Sequence, residues 1–238
     1  MIKGKLSIII PCYNEKKTIR KIVNKILLQR YIKKQIIIID DCSTDGSREE
    51  IKLIRKKIDH IIYHDKNYGK GACIISAKKF IKGNVVIIQD ADLEYNPDDY
   101  EALIMPVLSK EKKVIYGSRV LGRTKNQLKS IFFEPNIRIL GNYILTKISN
   151  ILNSQKLTDA HTCYKVFDAK LFKKLKFKQH DFTFCPEITS LVSRLGIQIK
   201  ELPISYLGRN YNQGKKIKFL DAIKAFYVLL KIKFSLQT

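Results

Sequence analysis

Short aliphatic runs, each stopped by a turn residue or an acidic cluster, constrain this chain more than any other feature. Leu6-Ser7-Ile8-Ile9-Ile10 is stopped by Pro11, Ile36 to Ile39 runs into Asp40-Asp41, and Val85 to Ile88 leads to Asp90. Ile61-Ile62-Tyr63 and Val114-Ile115-Tyr116 are shorter runs of the same kind. Uninterrupted apolar runs of this length read as strands buried on both faces. Between them, Ile19, Ile22, Val23, Ile26 and Leu27, then Ile51, Ile54 and Ile58, recur at helical spacing, and Ala72 to Phe80 reads as a helix. Strands alternating with helices imply an α/β fold with a mostly parallel sheet and right-handed crossovers. On such a sheet ligands bind beyond the carboxyl ends of the strands. The polar clusters Tyr13-Asn14-Glu15, Asp40-Asp41, Asp90-Ala91-Asp92 and Gly117-Ser118-Arg119 all fall there.

The second part is less regular. Leu121 to Pro135 reads as a mobile polar loop, Ile137 to Leu152 and Phe182 to Leu195 as helices, and Ile197 to Leu202 as a strand. Ile217 to Phe234 sets Lys218, Lys224, Lys231 and Lys233 beside Phe219, Phe226, Tyr227 and Phe234, which predicts a basic amphipathic C-terminal helix. No segment reaches the ~18 apolar residues of a membrane span. Lys3 and Lys5 lead straight into the first strand, so no leader peptide is expected. The five cysteines show no pairing pattern, and a reducing cytoplasm is the expectation. The net charge of +23 suits an anionic partner, although compositional bias toward Lys explains it equally well.

Four motifs carry candidate chemistry. Asp90 and Asp92, one residue apart after an apolar strand, cannot both face a core without a large desolvation cost. At a strand end both can reach one hard cation, with Glu94 as a third oxygen, and Mg²⁺ or Mn²⁺ fits such donors. A helix N-terminus is the plain alternative, since acidic residues favour that end. Asp40-Asp41 can accept from ribose hydroxyls or a base N–H, or can simply serve the turn formed with Ser43, Thr44, Asp45 and Gly46. Pro11 to Glu15 reads as a strand-to-helix turn. Asn67-Tyr68-Gly69-Lys70-Gly71 can bring backbone N–H groups to an anion or begin a helix, but lacks the P-loop spacing.

In order along the chain, Ile10-Pro11-Cys12-Tyr13-Asn14-Glu15, Ile39 to Gly46, Asn67 to Gly71, Asp90 to Glu94 and Gly117-Ser118-Arg119 resemble family 2 glycosyltransferases. Leu157 to Lys165, Pro203-Ile204-Ser205-Tyr206, Arg209 and Gly214 to Ile217 resemble the subgroup of dolichol-phosphate mannose and glucose synthases. The resemblance spans roughly residues 5 to 233. It implies a GT-A fold, with one domain over 1–238: a nucleotide-sugar half (1–120), an acceptor half (121–216) and the tail helix (217–238). It also implies that Pro11, Tyr13 and Glu15 line the nucleotide and that Asp41 contacts the base or ribose. Asp90, Ala91 and Asp92 would hold the diphosphate and metal, with Glu94 as a further metal ligand. Arg119 would face the diphosphate and sugar, and Arg209 and Lys215 would clamp phosphates. Asp92, Arg119 and Asp159 are the expected catalytic group, Asp159 orienting an acceptor or a sugar hydroxyl or else bonding locally. His161 is a weaker metal candidate, and Glu187 an acceptor contact or a partner of a lysine.

The expected activity is metal-dependent, inverting transfer of mannose or glucose from a GDP- or UDP-sugar to a polyprenyl phosphate. The expected setting is peripheral, at the inner face of an anionic membrane, with room for a membrane-protein partner. A soluble hydroxyl acceptor is the alternative, and it needs a general base from Asp159 or Glu187. A nucleic-acid-binding protein is a remote reading of the charge, opposed by the acidic clusters. A nucleotidyltransferase is opposed by the missing Gly-rich, Arg-containing loop after the first strand.

Overall fold

The computed structural model describes residues 2–123, 137–209 and 219–234. Strands β1 (Ile2–Cys12), β2 (Ile32–Asp40), β3 (His60–Tyr63), β4 (Val85–Ile88) and β5 (Val114–Ser118) form where the aliphatic runs fall. Strands β6 (Lys165–Asp168) and β7 (Lys200–Pro203) complete a seven-stranded sheet in the order β3-β2-β1-β4-β6-β5-β7. All pairings are parallel except those of β6 with β4 and β5. The aliphatic residues of β1, β2 and β4 are buried on both faces, as their unbroken apolar runs require.

The helices are α1 (Ile19–Leu28), α2 (Ser47–Leu53), α3 (Lys70–Ala77), α4 (Tyr100–Leu108), α5 (Ile137–Asn153), α6 (Ala169–Lys174), α7 (Phe184–Arg194) and α8 (Phe219–Phe234). Helix α1 turns Ile19, Ile22, Val23 and Ile26 onto the sheet, the set read from spacing. Helix α8 packs on α5 and α7 through Ala225, Val228 and Leu229, while Phe226, Tyr227 and Phe234 stay exposed.

Two elements differ from the sequence reading. The strand expected over 197–202 forms at Lys200–Pro203, because Gly196 at φ +68° and the following residues complete the exit from α7. Strand β6 was not expected, since only Val166 and Phe167 mark it, a run too short to register as periodicity. It is the piece that matters for the site. An antiparallel strand among parallel ones brings its N-terminal end to their carboxyl edge, so the segment before β6, including Asp159, arrives beside the ends of β4 and β5.

Register aligns the edge: Cys12 pairs with Asp40, and Ile9 with Ile88. The first turn of α3 is wedged against the loop ahead of α7, where Ala72 N–H donates to His180 O at 2.9 Å. A Cβ on Gly71 would lie 2.2 Å from Gln179 O, so only glycine allows this approach. Gly71→Ala is expected to lower stability by about 1–3 kcal/mol through this overpacking, read from the midpoint of urea unfolding at unchanged slope.

Candidate functional site

The edge of the sheet gathers carboxylates. Glu15 follows β1, and Asp90, Asp92 and Glu94 follow β4. The loop after β4 is fixed from beneath by Gln89, whose Oε1 accepts from Tyr100 (2.6 Å) and Tyr164 (2.7 Å) and whose Nε2 donates to Asp90 O. Leu93 takes φ +66°, and Glu94 N–H donates to Asp92 Oδ1 at 3.1 Å, so the Asp-x-Asp-x-Glu stretch is folded back on itself. Mutual repulsion and burial push the Asp92 carboxyl up to about 7, burial first and then Asp90 and Glu94.

Two internal cations answer this charge. Arg209 reaches both Glu15 oxygens at 3.1 Å, Asp92 Oδ2 at 2.9 Å and Glu94 Oε1 at 3.4 Å. Lys70 donates to Asp90 Oδ1 at 2.5 Å. Glu94 is also held by Tyr206 O–H (2.5 Å) and the backbone N–H of Arg209 (2.9 Å). Asp90 is thus held by Lys70 while Asp92 and Glu94 share Arg209, and the three form no ready-made three-ligand cluster among the described residues. Their chemistry is nonetheless all hard oxygen, and positive charge is what each of them has drawn in.

Arg119, just past β5, is locked to Asp159. Its Nε and Nη2 donate to the two Asp159 oxygens at 2.6 and 2.7 Å, and its backbone N–H adds a bond at 3.1 Å. Asn142 on α5 donates to Asp159 Oδ1 at 3.2 Å. Asp159 is fully buried, and although burial alone would raise its pKa, the Arg119 charge and these hydrogen bonds hold it down at about 2. The backbone N–H of Asp159 and that of Thr158 both donate to Glu201. Arg119 also lies 5.1 Å from the centre of the Tyr206 ring.

The structure thus brings together Glu15, Asp90, Asp92, Glu94, Arg119, Asp159 and Arg209, with buried Ala91 between the two aspartates. Pro11 and Tyr13 sit half-buried at the end of β1. Asp41 stands apart from the carboxylate cluster. It is buried and accepts from His64 Nδ1 (2.7 Å) and the backbone N–H groups of Tyr68 (3.0 Å) and Gly69 (2.7 Å), so it holds the turn that presents Lys70. Lys215 lies outside the described residues, as do Lys218 and most of the loop expected over 121–135.

Among the described residues Glu187 has no ion pair with a lysine side chain. It is buried and accepts the backbone N–H groups of Lys178 (2.8 Å) and Gln179 (3.0 Å). The His161 Nε2 has no hydrogen-bond partner among the described residues, and burial pushes this imidazole down to about 4, so it is neutral. Lys70, Tyr206, Glu201 and Asn142 were not singled out as site residues. Lys70 carried a signal, lying between two glycines at a helix start, whereas Glu201 and Asn142 enter only through long-range packing.

Comparison with known proteins agrees with this geometry. The model of the family "Glycosyl transferase family 2" matches residues 7–176. A UDP-N-acetylglucosamine–dolichyl-phosphate N-acetylglucosaminyltransferase of Methanococcus voltae is 26% identical over 245 residues, covering 95% of this chain and 95% of the relative. A dolichyl-phosphate β-glucosyltransferase of Trichomonas vaginalis is 28% identical over 241 residues, covering 95% of this chain and 72% of the relative. Among solved structures, glucosyl-3-phosphoglycerate synthase of Mycobacterium tuberculosis in complex with UDP superposes with a TM-score of 0.73 at 16% identity, covering 99% of this chain and 82% of that one. The same enzyme with Mn²⁺, UDP and phosphoglyceric acid superposes at 0.71 and 16% identity, covering 99% and 81%. The sheet and its helices are therefore those of a GT-A-like glycosyltransferase fold.

The Arg119–Asp159 pair makes a pH-dependent contribution to stability. A carboxyl whose folded pKa lies below its unfolded value stabilises above the unfolded value, and the benefit is lost as pH falls through the folded one. For Asp159 that window runs from about 4 down to about 2. Asp159→Asn is expected to cost about 3 kcal/mol at pH 7 by leaving the guanidinium buried and unpaired. The gap to wild type should narrow on acidification through that window, as followed by urea unfolding at a series of pH values.

Proposed function

The chain belongs to glycosyl transferase family 2, and from that premise we propose that it transfers a hexose from a nucleoside-diphosphate sugar to a polyprenyl phosphate. A UDP-linked donor is favoured, because the Methanococcus relative is named for a UDP-sugar and the tuberculosis enzyme was solved with UDP. The observation that carries the choice of acceptor is the state of the two carboxylates that a hydroxyl acceptor would need as a base. Asp159 is held at about 2 in an ion pair, and Glu187 is spent on two backbone N–H groups. Asp159 is thus too weak a base near neutral pH, and Glu187, although burial raises its pKa, has both oxygens committed to backbone N–H groups. A phosphate acceptor is already anionic there and needs no such base.

In this reading Pro11, Tyr13 and Asp41 line the nucleoside, Asp41 also by holding the 68–69 backbone in place. Asp90, Asp92 and Glu94 fit a divalent cation, Mg²⁺ or Mn²⁺, by their oxygen chemistry. Such an ion, when bound, supplies charge that stabilises the leaving diphosphate. An acceptor phosphate oxygen forms the new bond to the anomeric carbon from the face opposite the donor. The bond from that carbon to the β-phosphate oxygen breaks, and its electron pair leaves with the nucleoside diphosphate. Arg119, oriented by Asp159, faces the developing charge. Arg209 and Lys70 exchange their carboxylate partners for donor phosphates, and Lys215 joins them. Asp92, freed of repulsion by a bound cation, is an ionised ligand rather than a base.

Among the described residues no helix is long and apolar enough to cross a membrane. The exposed Phe226, Tyr227 and Phe234 of α8, interleaved with Lys224, Lys231 and Lys233, support an amphipathic helix resting on the anionic inner face of a membrane, alone or with a membrane-protein partner. The test is nucleoside diphosphate release from UDP-glucose, UDP-N-acetylglucosamine and GDP-mannose, with Mn²⁺ or Mg²⁺ and vesicles containing polyprenyl phosphate. Wild type is expected to turn over one donor in a metal- and lipid-dependent way, and Asp92→Ala to lose about 10²–10³-fold in kcat, the scale of an electrostatic catalytic group. Turnover that is indifferent to the prenyl phosphate would overturn the acceptor assignment.

A further inference from the structure

A three-donor cluster of the kind absent from Asp90, Asp92 and Glu94 lies between the ends of β2 and β3 and the helix α3. Parallel pairing sets Asp40 beside Tyr63, so the next residues, Asp41 and His64, leave the sheet side by side. Helix α3 packs back over β2 and carries buried Cys73 onto them. One carboxylate oxygen of Asp41, one ring nitrogen of His64 and the Cys73 Sγ all lie within 4.8 Å of one another.

The charge of this cluster is unbalanced. Asp40 is paired with Arg48, Glu15 and Asp92 with Arg209, and Asp159 with Arg119. Asp41 is also buried, but its one ion-pair partner among the described residues is His64 Nδ1 at 2.7 Å, a ring charged only when protonated. A buried carboxylate without a fixed cation is costly. Burial first, and then the Asp41 charge, push the Cys73 thiol above its usual range, so it holds its proton. The donors are of three types, carboxylate oxygen, imidazole nitrogen and cysteine sulfur. Zn²⁺ takes all three, whereas Mg²⁺ and Mn²⁺ favour oxygen. Two of them are also held from behind. His64 Nε2 lies 3.0 Å from Ser76 Oγ, which keeps Nδ1 toward Asp41, and Asp41 accepts the backbone N–H groups of Tyr68 and Gly69. Outer contacts of this kind orient metal ligands.

We propose that Asp41, His64 and Cys73 bind a borderline-soft divalent cation of the Zn²⁺ type, at a site separate from Asp90, Asp92 and Glu94. The ion takes the place of two protons, one on His64 Nδ1 and one on Cys73 Sγ. Its charge of +2 is then balanced by one carboxylate and one thiolate, with the imidazole neutral and a fourth position left open. Tetrahedral ligands at about 2.0–2.2 Å from the metal stand about 3.4 Å from each other, so the ring retreats from Asp41 by about 0.7 Å. The way in passes Tyr68, an exposed ring that meets His64 edge-on at 5.3 Å. Exposed side chains turn within picoseconds to nanoseconds. Occupation withdraws Asp41 from the nucleoside and so inhibits the enzyme. That consequence alone rests on the donor reading above.

Co²⁺ tests the site, because a thiolate ligand gives it an intense near-ultraviolet charge-transfer band that oxygen ligands do not. Titration of the full chain with Co²⁺ in excess Mg²⁺ is expected to raise this band to a plateau at one equivalent, and added Zn²⁺ to abolish it. Cys73→Ser should lose the band. Cys42→Ser should keep it, since the Cys42 thiol donates to Asp65 O at 3.3 Å. Ser76→Ala, which keeps all three ligands, should raise the Co²⁺ Kd about tenfold, a readout that stands even where Cys73→Ser fails to fold. Absence of the band, a band that survives Cys73→Ser, or a Kd indifferent to Ser76→Ala overturns the assignment. UDP binding is followed by calorimetry in the same Mg²⁺ buffer, and saturation with Zn²⁺ is expected to weaken it at least tenfold. Undiminished UDP binding beside a Cys73-dependent band sinks the nucleoside role of Asp41 alone. A silent Co²⁺ titration beside normal UDP binding sinks the metal site alone.

Discussion

Like charges crowded at one end of a sheet are the constraint around which this structure is organised. Glu15, Asp90, Asp92 and Glu94 stand close enough that burial and mutual repulsion lift Asp92 to about 7. Such a cluster persists only where positive charge is supplied. Arg209 supplies it by joining the loop after β1 to the loop after β4 from a position 194 residues downstream of Glu15. Through Glu94 the same interaction fixes Tyr206 and Leu207, and so the segment beyond β7 is drawn across the edge. The groups that line the edge therefore also close it, Glu15, Asp92 and Glu94 by sharing Arg209 and Asp90 by its bond to Lys70.

The Arg119–Asp159 pair follows a different logic. Its charge is fixed, with the carboxyl held far below neutrality, and its geometry is bidentate and supported from β7 by Glu201 and from α5 by Asn142. A guanidinium held this way loses little freedom when charge develops nearby, which is the condition for electrostatic catalysis. Asp159 acts through Arg119 and touches no open space of its own.

Much of the fold was legible because the strands are short and unbroken. Ile8, Ile37 and Ile87 need burial on both sides, and only a parallel sheet flanked by helices provides it. The polar residues after each strand then mark the ligand edge. Strand β6 was hidden because two apolar residues make no period, and its antiparallel direction is set by neighbours, not by its own residues. Site residues on strand ends could be named from local motifs. Glu201 and Asn142 could not, because each enters through a contact more than 15 residues away in the chain and neither lies in a distinctive local pattern, while Tyr206, though inside the Pro203 to Tyr206 motif, gave no sign of its bond to Glu94. Asp41 was expected at the base or ribose from its local motif alone. Its carboxylate is spent on His64 and on the turn of Tyr68 and Gly69, a use that only the tertiary arrangement defines.

The two halves of the site meet at α5. Its inward residue Asn142 bonds the Arg119–Asp159 pair, while Leu140, Tyr143 and Ile144 on neighbouring positions are turned outward and exposed. A helix in water gains nothing from exposing such residues together, at roughly 25 cal/mol for each Å² of apolar surface left wet. Covering that face would recover the cost and at the same time fix the helix that carries Asn142. Rigid, neutralised polar contacts thus lie on one side of α5, and an apolar face left uncovered by the described residues lies on the other. Asn142 is the short hydrogen-bonded link between the two, so whatever covers the apolar face also steadies the Arg119–Asp159 pair.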